Sequence, residues 1–321
     1  MSERPSPGPG PDVAVVGAGA VGATIAYTAL VRGSARRVAL HDIDAAKLEA
    51  EVLDISHGLS FTPMGSIVGS EDVEVCRGAR VVVITAGAKQ KPGQSRMELA
   101  ESTVGLVRTL MPRLLEVAPD ATYVMVTNPV DVVTTAALRL TGLPSRQLFG
   151  SGTVLDSSRL RHSISRRVGV AVQNVHAYIV GEHGDTEFPL WSSASLGGVP
   201  IRDWSGGHGG RLDEQELAEI ADEVVHAAYR IIAGKGATNY AVALACCQIV
   251  ESVLRDERRV LPVSTLLEGE YDVSGICLSV PTVVGAGGAV ERLSVPMSDA
   301  EQEQLRRSAA SIRATLDTVG G

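Results

Sequence analysis

Short apolar runs alternate with helical patterns along the first half of the chain. The runs VAVVG, VALHD, VVVITAG and YVMVTNP are rich in β-branched residues, as buried strands are. Between them, apolar residues recur at helical spacing, for example over residues 20–32 and again through Leu53. Strands alternating with helices predict right-handed crossovers and a mostly parallel sheet covered on both faces. From residue 12 to about residue 150 we therefore expect an α/β fold with a doubly wound parallel sheet.

The pattern changes after about residue 150. Longer helical stretches follow, such as residues 218–232 and a final helix from Asp299, together with a strand-like run over residues 273–280. A chain of 321 residues with 45% hydrophobic content is long enough for two domains. We therefore predict a mixed α+β second domain over residues 151–321. Residues 1–11 are rich in Pro and Gly without an apolar period, so we predict a mobile tail there.

The charge balance limits the classes of partner. The formal net charge is -8, whereas a nucleic-acid or anionic-membrane surface needs a dominant field of Lys and Arg. No apolar run approaches the roughly 20 residues of a membrane helix. The opening MSERPSPGPGPD also lacks the apolar core of a signal peptide. We expect a cytoplasmic protein with no nucleic-acid or membrane partner, in which local cations attract any acidic substrate.

The cysteines do not form a recognisable metal or redox motif. Cys76, Cys246, Cys247 and Cys277 show neither CxxC nor metal-ligand spacing, and the adjacent pair lies in an apolar, helix-like stretch. We interpret all four as reduced core residues and predict no metal site.

A glycine-rich turn follows the first predicted strand. Gly17, Gly19 and Gly22 form GxGxxG at the opening of a helix, where they permit a tight turn, close approach of a pyrophosphate and close helix–strand packing. The helix N-terminus offers free N–H groups to phosphates. Asp42 ends the next strand, where a carboxylate that binds ribose hydroxyls and favours NAD over NADP is expected. The alternative is a simple glycine turn with Asp42 capping a helix.

Two further strand ends are expected at the same crevice, because ligands bind beyond the carboxyl ends of parallel strands. They are the segment from Thr85 to Ala88 and the pair Thr127 and Asn128. Gly87 would let the backbone approach a cofactor closely. Lys47 either reaches the adenosine side of that cofactor or is an ordinary solvated helix lysine.

A histidine in the second half is a candidate acid–base group. In IVGEHGDTEFP, His183 lies in a short polar loop after a strand, where an imidazole can face a cleft and titrate near neutral pH. A single histidine is more often structural, so this residue alone decides nothing.

The segment LDSSRLR adds two charged groups. Asp156 and Arg159 are three residues apart and share one face of a helical turn. The carboxylate is suited to orient an imidazole and stabilise its protonated form. The guanidinium presents a planar fork that matches a substrate carboxylate. The alternative is a local i,i+3 salt bridge without a functional role.

A polar segment between a strand and a helix completes the candidate chemistry. AGAKQKPGQSRMEL contains Pro92 and Gly93 and is suited to act as a lid, whose closure would bring Arg96 to a substrate carbonyl and expel water. The alternative is a solvated surface loop.

At this point the chain resembles the lactate/malate dehydrogenase family, and within it the bacterial L-lactate dehydrogenases. The resemblance covers nearly the whole chain after residue 11 and is carried by long motifs in family order. They are VVGAGAVG, HDID, TAGAKQKPGQSR, VTNPVD, GSGTVLDSSRLRH, QNVHAYIVGEHGDTEFP and KGATNYAVA. The resemblance implies a Rossmann-type NAD-binding domain, a catalytic domain, and hydride transfer between NADH and pyruvate to give L-lactate.

The resemblance also implies roles for individual residues. His183 would be the proton donor and acceptor, Asp156 its partner and Arg159 the carboxylate clamp. Arg96 would polarise the carbonyl, and Asn128 would donate a hydrogen bond to the substrate oxygen. The cofactor-binding set would comprise Gly17, Gly19, Val21, Gly22, Asp42, Lys47, Gly87, Ala88, Thr127, Asn128 and Ser151.

Substrate choice would depend on Gln90. Malate dehydrogenases carry an arginine at the matching position to pair the second carboxylate of oxaloacetate, and a neutral Gln90 would leave that charge buried without a partner. Thr238 would complete a small pocket beside the substrate methyl group. Three residues depart from the common family pattern: His41 bears on adenosine-pocket packing, whereas Lys89 and Asn239 bear on the range of 2-oxo acids accepted.

A second, regulatory site is also implied. In bacterial relatives that respond to fructose 1,6-bisphosphate, an arginine and a histidine line an anion site at a subunit interface, and the matching residues here are Arg161 and His176. The expectation is an allosteric homotetramer acting in glycolysis and pyruvate fermentation. Two other readings stay open: a malate or other 2-hydroxy-acid dehydrogenase of the same fold, and a non-catalytic NAD-binding sensor.

Overall fold

The computed structural model describes residues 10–87, 96–206 and 210–319, apart from the side chains of residues 96 and 97. Its strands, numbered in chain order, are β1 (Val13–Val16), β2 (Arg37–His41), β3 (Ser66–Ser70), β4 (Val81–Ile84), β5 (Thr122–Met125), β6 (Leu148–Gly150), β7 (Val175–His176), β8 (Ile179–Val180), β9 (Phe188–Pro189), β10 (Ser195–Leu196), β11 (Val199–Pro200), β12 (Arg259–Glu268), β13 (Ser274–Gly285) and β14 (Gly288–Arg292). The α-helices are α1 (Ala20–Arg32), α2 (Ala45–His57), α3 (Arg96–Val117), α4 (Val130–Thr141), α5 (Val154–Val168), α6 (Glu214–Lys235), α7 (Tyr240–Leu254) and α8 (Asp299–Val319).

The first half of the chain forms a doubly wound parallel sheet. β1 lies at its centre, paired in parallel with β2 on one side and β4 on the other, and the full parallel order is β3-β2-β1-β4-β5-β6. Every side chain of β1, β4 and β5 is buried, as expected for strands covered on both faces. The predicted fold class is confirmed. The order reverses beside β1, where sheets of this type bind ligands.

The strands of the second half extend the same sheet. β12, β13 and β14 form an antiparallel ribbon whose inner strand pairs with β6 through Ser264 and Gly150, giving the nine-stranded order β14-β13-β12-β6-β5-β4-β1-β2-β3. The outer edge of β6 is thereby covered, so its backbone groups are paired with protein rather than left open. The second half thus adds its longest strands to the first sheet.

Two small sheets and a separate apolar cluster support the candidate catalytic loop. β7 pairs with β10, and β8 pairs with β9, both antiparallel. The cluster under them is built from α5, α6 and these short strands, with Leu160, Ile164 and Ile220 fully buried. Each such side chain contributes about 1.5–3 kcal/mol relative to an exposed one. The loop between β8 and β9, which carries His183, therefore starts and ends in packed structure.

Several helix bounds differ from the sequence expectation. α2 continues to His57 rather than ending near Leu53, and α6 begins four residues before residue 218. The early start of α6 follows from a capping box, in which Asp213 accepts from the Glu216 N–H while the Glu216 side chain accepts from the Asp213 N–H.

The chain enters the sheet just before β1. Residues 1–9 of the predicted tail lie outside the described residues, whereas the Pro11 carbonyl accepts from the Arg80 N–H at 3.2 Å. Among the described helices, none combines the length and apolar character that crossing a membrane requires.

Candidate active site

The glycine turn between β1 and α1 has three distinct local geometries. Gly17 has φ +105°, and a Cβ there would lie 2.7 Å from the Ala86 backbone nitrogen. A Cβ on Gly22 would collide with the Gly17 carbonyl oxygen and lie 2.7 Å from Thr85 Oγ1. Gly19 instead faces open space. The first and third glycines therefore permit close packing, while the second leaves room above the loop.

Asp42 lies directly beside this turn. Its Oδ2 accepts from the Ala18 N–H at 2.6 Å, and its Oδ1 accepts from the Asp44 N–H at 3.0 Å. The carboxylate is thus fixed where β2 ends, against the start of α1. Lys47 lies in the first turn of α2 and is half-buried, and its backbone N–H donates to the Asp44 side chain.

The ends of β4, β5 and β6 meet at the same edge. A Cβ on Gly87 would collide with Thr127 Oγ1, so these two predicted cofactor residues are in contact. Asn128 is exposed and precedes a cis peptide bond to Pro129, and the Ser151 N–H donates to the Met125 carbonyl at 2.7 Å. Ala88 lies outside the described residues.

These groups fit a dinucleotide. Helix α1 has no side-chain cap at its N-terminus, so its first N–H groups are available to phosphate oxygens across the open space at Gly19. The Asp42 carboxylate lies beside them, where ribose hydroxyls would bind. Val21, half-buried in the first turn of α1, is on the same element.

His183 is held at two points. Its backbone N–H donates to Oδ2 of Asp131 at 2.7 Å, and its ring Nδ1 lies 2.7 Å from Oδ2 of Asp156. The side chain retains 27% exposure. Because Nδ1 faces the buried carboxylate, Nε2 is the nitrogen left for a substrate.

Asp156 joins two functional groups. Its side chain is 2% exposed, and its second oxygen, Oδ1, accepts from Nη1 of Arg159 at 2.6 Å. The i,i+3 salt bridge that sequence offered as an alternative is therefore present, and the same carboxylate also holds His183. One buried anion thus fixes an imidazole and a guanidinium in a common frame.

The electrostatics favour a protonated imidazole. Burial by itself lowers the pKa of His183, but the charge and hydrogen bond of Asp156, with a smaller contribution from Glu187, hold that pKa well above its ordinary value. Burial conversely raises the pKa of Asp156, and the neighbouring His183 and Arg159 outweigh it, so its pKa is lowered. The pair is suited to store a proton on the imidazole beside a permanent carboxylate.

Comparison with known families identifies the fold. Residues 12–150 match the model of the lactate/malate dehydrogenase NAD binding domain, and residues 153–320 match that of the family's alpha/beta C-terminal domain. The chain belongs to the lactate/malate dehydrogenase family. It is 53% identical over 309 residues to an L-lactate dehydrogenase of Bifidobacterium animalis subsp. lactis, covering 96% of this chain and 97% of that one.

Other members of the family give the same picture. An L-lactate dehydrogenase of a Synechococcus strain is 44% identical over 305 residues, covering 95% of this chain and 98% of the relative. The crystal structure of a lactate dehydrogenase from a Medee basin deep-sea metagenome superposes with a TM-score of 0.93 at 36% identity, covering 98% of this chain and all of that one.

The remaining predicted site residues of this family member lie partly within and partly outside the described part of the chain. Arg96 is the first residue of α3, while Gln90 and Lys89 lie outside the described residues. Thr238 is half-buried in the link between α6 and α7. The next residue, Asn239, donates to Oγ1 of Thr24 at 2.9 Å and so ties this link to α1.

Two buried carboxylates beside His183 were missed at the sequence level. Asp131 receives the His183 N–H and the Ser264 hydroxyl, and Glu187 Oε2 lies 3.7 Å from His183 Nδ1. Asp131 interrupts an otherwise apolar run in NPVDVV, and Glu187 directly precedes the apolar FPLW; these positions were the available signal. Which polar group such a carboxylate meets depends on distant chain segments.

The predicted effector residues lie on α5 and β7, which pack together. Burial lowers the pKa of the Arg161 guanidinium, and no ion pair to it occurs among the described residues. His176 is exposed on β7. His41, the departure noted beside Asp42, is buried with its Nδ1 3.0 Å from the Ser70 carbonyl oxygen.

Proposed function

We propose that this chain is an NAD-dependent L-lactate dehydrogenase, which transfers a hydride between NADH and pyruvate. The observation that carries the proposal is the bridge from Asp156 to both His183 and Arg159, because it joins a proton donor and a carboxylate clamp on one buried anion. The several L-lactate dehydrogenases among its relatives, at up to 53% identity in the comparisons above, support the same reaction.

Proton transfer falls to His183. The imidazolium donates its Nε2 proton to the carbonyl oxygen of pyruvate as that oxygen gains negative charge, and in the reverse direction the neutral ring accepts it from lactate. Asp156 stays ionised and fixes the ring orientation through Nδ1. NADH, when bound, supplies the hydride.

We infer that Arg159 orients the substrate, together with other predicted site residues. Nη1 of Arg159 is bound to Asp156, so the remaining N–H groups of the guanidinium are left to pair with the pyruvate carboxylate. Arg96 polarises the ketone and Asn128 donates to the same oxygen. Thr238 borders the methyl group, and neutral Gln90 disfavours the second carboxylate of oxaloacetate.

Cofactor binding falls to the edge around Gly19. The open space there, the uncapped start of α1 and the fixed carboxylate of Asp42 support binding of NAD(H), with Gly87, Thr127 and Ser151 along the nicotinamide side. The negative charge of Asp42 disfavours the extra phosphate of NADP.

The proposal also includes the regulation and the oligomeric state of the enzyme. We infer a homotetramer activated by fructose 1,6-bisphosphate, which binds Arg161 and His176 across a subunit interface. The guanidinium without an ion-pair partner in the described structure supports an anion site there. We place the enzyme in the cytoplasm, in the glycolytic fermentation of pyruvate, where its four free, buried cysteines suit a reducing compartment.

The decisive experiment follows NADH absorbance with purified protein. Wild type should oxidise NADH with pyruvate, and with higher kcat/KM than for oxaloacetate or 2-oxoisocaproate. His183→Asn should lower kcat at least about 100-fold while NADH affinity stays nearly unchanged, because the proton donor alone is lost. His226→Asn, an exposed histidine on α6, is the matched control.

The rival readings give different results in this assay. A preference for oxaloacetate or 2-oxoisocaproate would show that the enzyme acts on a 2-hydroxy acid other than lactate. NADH binding without turnover of any of the three would indicate a sensor. Turnover of His183→Asn within about threefold of wild type would remove His183 from the reaction.

A further inference from the structure

A second carboxylate faces the catalytic imidazole. Glu187 immediately precedes β9, and its backbone N–H donates to the Gly184 carbonyl at 3.3 Å, which turns the loop back under His183. Its side chain is 4% exposed, and Oε2 lies 3.7 Å from His183 Nδ1. Asp156 Oδ2 approaches the same nitrogen at 2.7 Å. Two buried carboxylates, one on α5 and one in the His183 loop, therefore approach the same nitrogen of the imidazole.

The charges around Glu187 come from two elements besides its own loop. α5 contributes Asp156 and Arg159, and the loop contributes His183. Glu182, also in the loop, is bonded to the Thr186 hydroxyl, and Asp131 on α4 binds the His183 backbone. With Asp156 and Glu187 ionised and His183 and Arg159 protonated, these four side chains together carry no net charge.

Glu187 is itself held near its titration point. Burial and the neighbouring charge of Asp156 raise the pKa of the Glu187 carboxyl to about 7, although His183 acts in the opposite direction. An ionised Glu187 stabilises the imidazolium, and a protonated one does so much less. The two groups consequently titrate as a pair.

We propose that Glu187 is a second carboxylate partner of the catalytic imidazole, a positioning residue that sets the pH range over which His183 holds its proton. The proposal rests on the proton-transfer role given to His183 above. It concerns the ring's proton affinity through Nδ1, since Glu187 does not touch the substrate-facing Nε2.

The substitution Glu187→Gln tests this role because it keeps size and shape while removing the charge. Pyruvate reduction needs the imidazolium, so its kcat/KM should fall at a pH lower by about 1 unit or more than in wild type. Lactate oxidation needs the neutral ring, so the increase of its kcat/KM with pH should also shift to lower pH. The variant should thus be slower at pyruvate reduction above neutrality and faster at lactate oxidation on the acid side.

Opposite effects in the two directions separate this role from structural damage, which lowers both rates at every pH. Glu187→Asp restores a carboxylate and should recover part of the shift. Glu301→Gln, a buried carboxylate that caps α8 away from the imidazole, should leave both pH profiles in place.

The failure modes are distinct. If wild type turns over pyruvate and the pH profiles of Glu187→Gln coincide with those of wild type in both directions, the role of Glu187 is refuted. If wild type has no activity with pyruvate, the proposed function fails first.

Discussion

The backbone of His183 is fixed by a residue from the other half of the chain. Asp131, in the first turn of α4, is 1% exposed and accepts both the His183 N–H and the Ser264 hydroxyl. Asn128, three residues earlier, is exposed just beyond the end of β5 and precedes a cis peptide bond. One short segment therefore carries both the carboxylate that fixes the His183 backbone and the proposed substrate ligand Asn128.

Replacing Asp131 with Asn tests whether Asp131 positions the His183 loop. The amide cannot accept from both donors as the carboxylate does, so the His183 loop should shift and kcat should fall by about 10- to 100-fold. NADH affinity should stay close to wild type. Steady-state kinetics and NADH titration provide the measurement.

The matched control is Ser264→Ala, which removes the other donor to the same carboxylate. It should cost about 1–3 kcal/mol of stability and leave kcat near wild type. Equal losses of kcat in the two variants would contradict a positioning role for Asp131.

The same residue predicts a pH effect on stability. Burial, outweighing the bonds from Ser264 and His183, raises the pKa of Asp131 to about 6 from 3.8. Between these values the native state keeps a proton that the unfolded chain releases, so this contribution to stability is present at low pH and lost as pH rises through about 6. Urea unfolding should show a smaller decline for Asp131→Asn than for wild type over this window.

At this scale, the sequence supports the pairing of His183 with Asp156 because each belongs to a recognisable motif. The partners Asp131 and Glu187 were not anticipated. Asp131 lies in an apolar run, whereas Glu187 shares a polar loop with Glu182 and Asp185, and neither a period nor a spacing links position 131 to position 183. A buried charge becomes informative only when the fold shows what it faces.

At the scale of elements, α1 separates two uses of glycine. A Cβ at Gly22 collides with the Gly17 carbonyl oxygen, whereas a Cβ at Gly19 meets nothing within 4 Å. At Gly22, the packing of α1 on β1 excludes a larger side chain. At Gly19, the protein itself leaves room for one, so only a ligand bound over the turn would exclude it.

Two alanine substitutions should therefore behave differently. Gly22→Ala should lower both the melting temperature and NADH affinity, because α1 must move from the sheet. Gly19→Ala should keep the melting temperature of the ligand-free protein and lose NADH affinity by at least about tenfold, because the methyl group occupies space needed by the pyrophosphate. NADH fluorescence titration and thermal unfolding would measure the two effects. Unchanged NADH affinity in Gly19→Ala would place the cofactor elsewhere.

The sequence predicted the ends of an element correctly where the residues that start or stop it lie at that end. Helix α1 has the predicted bounds and ends at Gly33 in the left-handed region. The predicted strand over residues 273–280 continues as β13 to Gly285, because pairing with β12 and β14 sustains it beyond its apolar run. Such extension depends on the partner strands.

At the scale of the whole molecule, alternation of strands and helices was enough to predict the parallel sheet. Continuation of that sheet into the second half was not predicted, since the link from β6 to β12 is the pair Gly150 and Ser264, more than a hundred residues apart. The two halves are also joined by Arg32 on α1 and buried Glu251 on α7, at 3.0 Å.

The proposed effector response belongs to this scale as well. Fructose 1,6-bisphosphate should raise apparent pyruvate affinity at least about fivefold in dilute protein, because it offsets cation repulsion between paired subunits. The comparison should be made at pH 6 and at pH 8, which bracket the range in which histidines generally change charge. Pyruvate saturation curves with and without the bisphosphate measure it.

Arg161→Gln should abolish this activation, while Arg306→Gln, an exposed arginine paired with Glu303 on α8, should retain it. Identical pyruvate curves with and without the bisphosphate at both pH values would rule out the response.

The shared sheet also limits how this enzyme can be recombined with its relatives. A C-terminal half taken from another family member must bring a strand that matches the edge of β6, and a hydroxyl where Ser264 meets Asp131. Without that strand, the edge of β6 is left unpaired in a chimera. Without that hydroxyl, the buried carboxylate of Asp131 lacks one of its hydrogen-bond donors. Exchanging the halves therefore requires both of these contacts to match, whereas exchanging a surface loop leaves them unchanged.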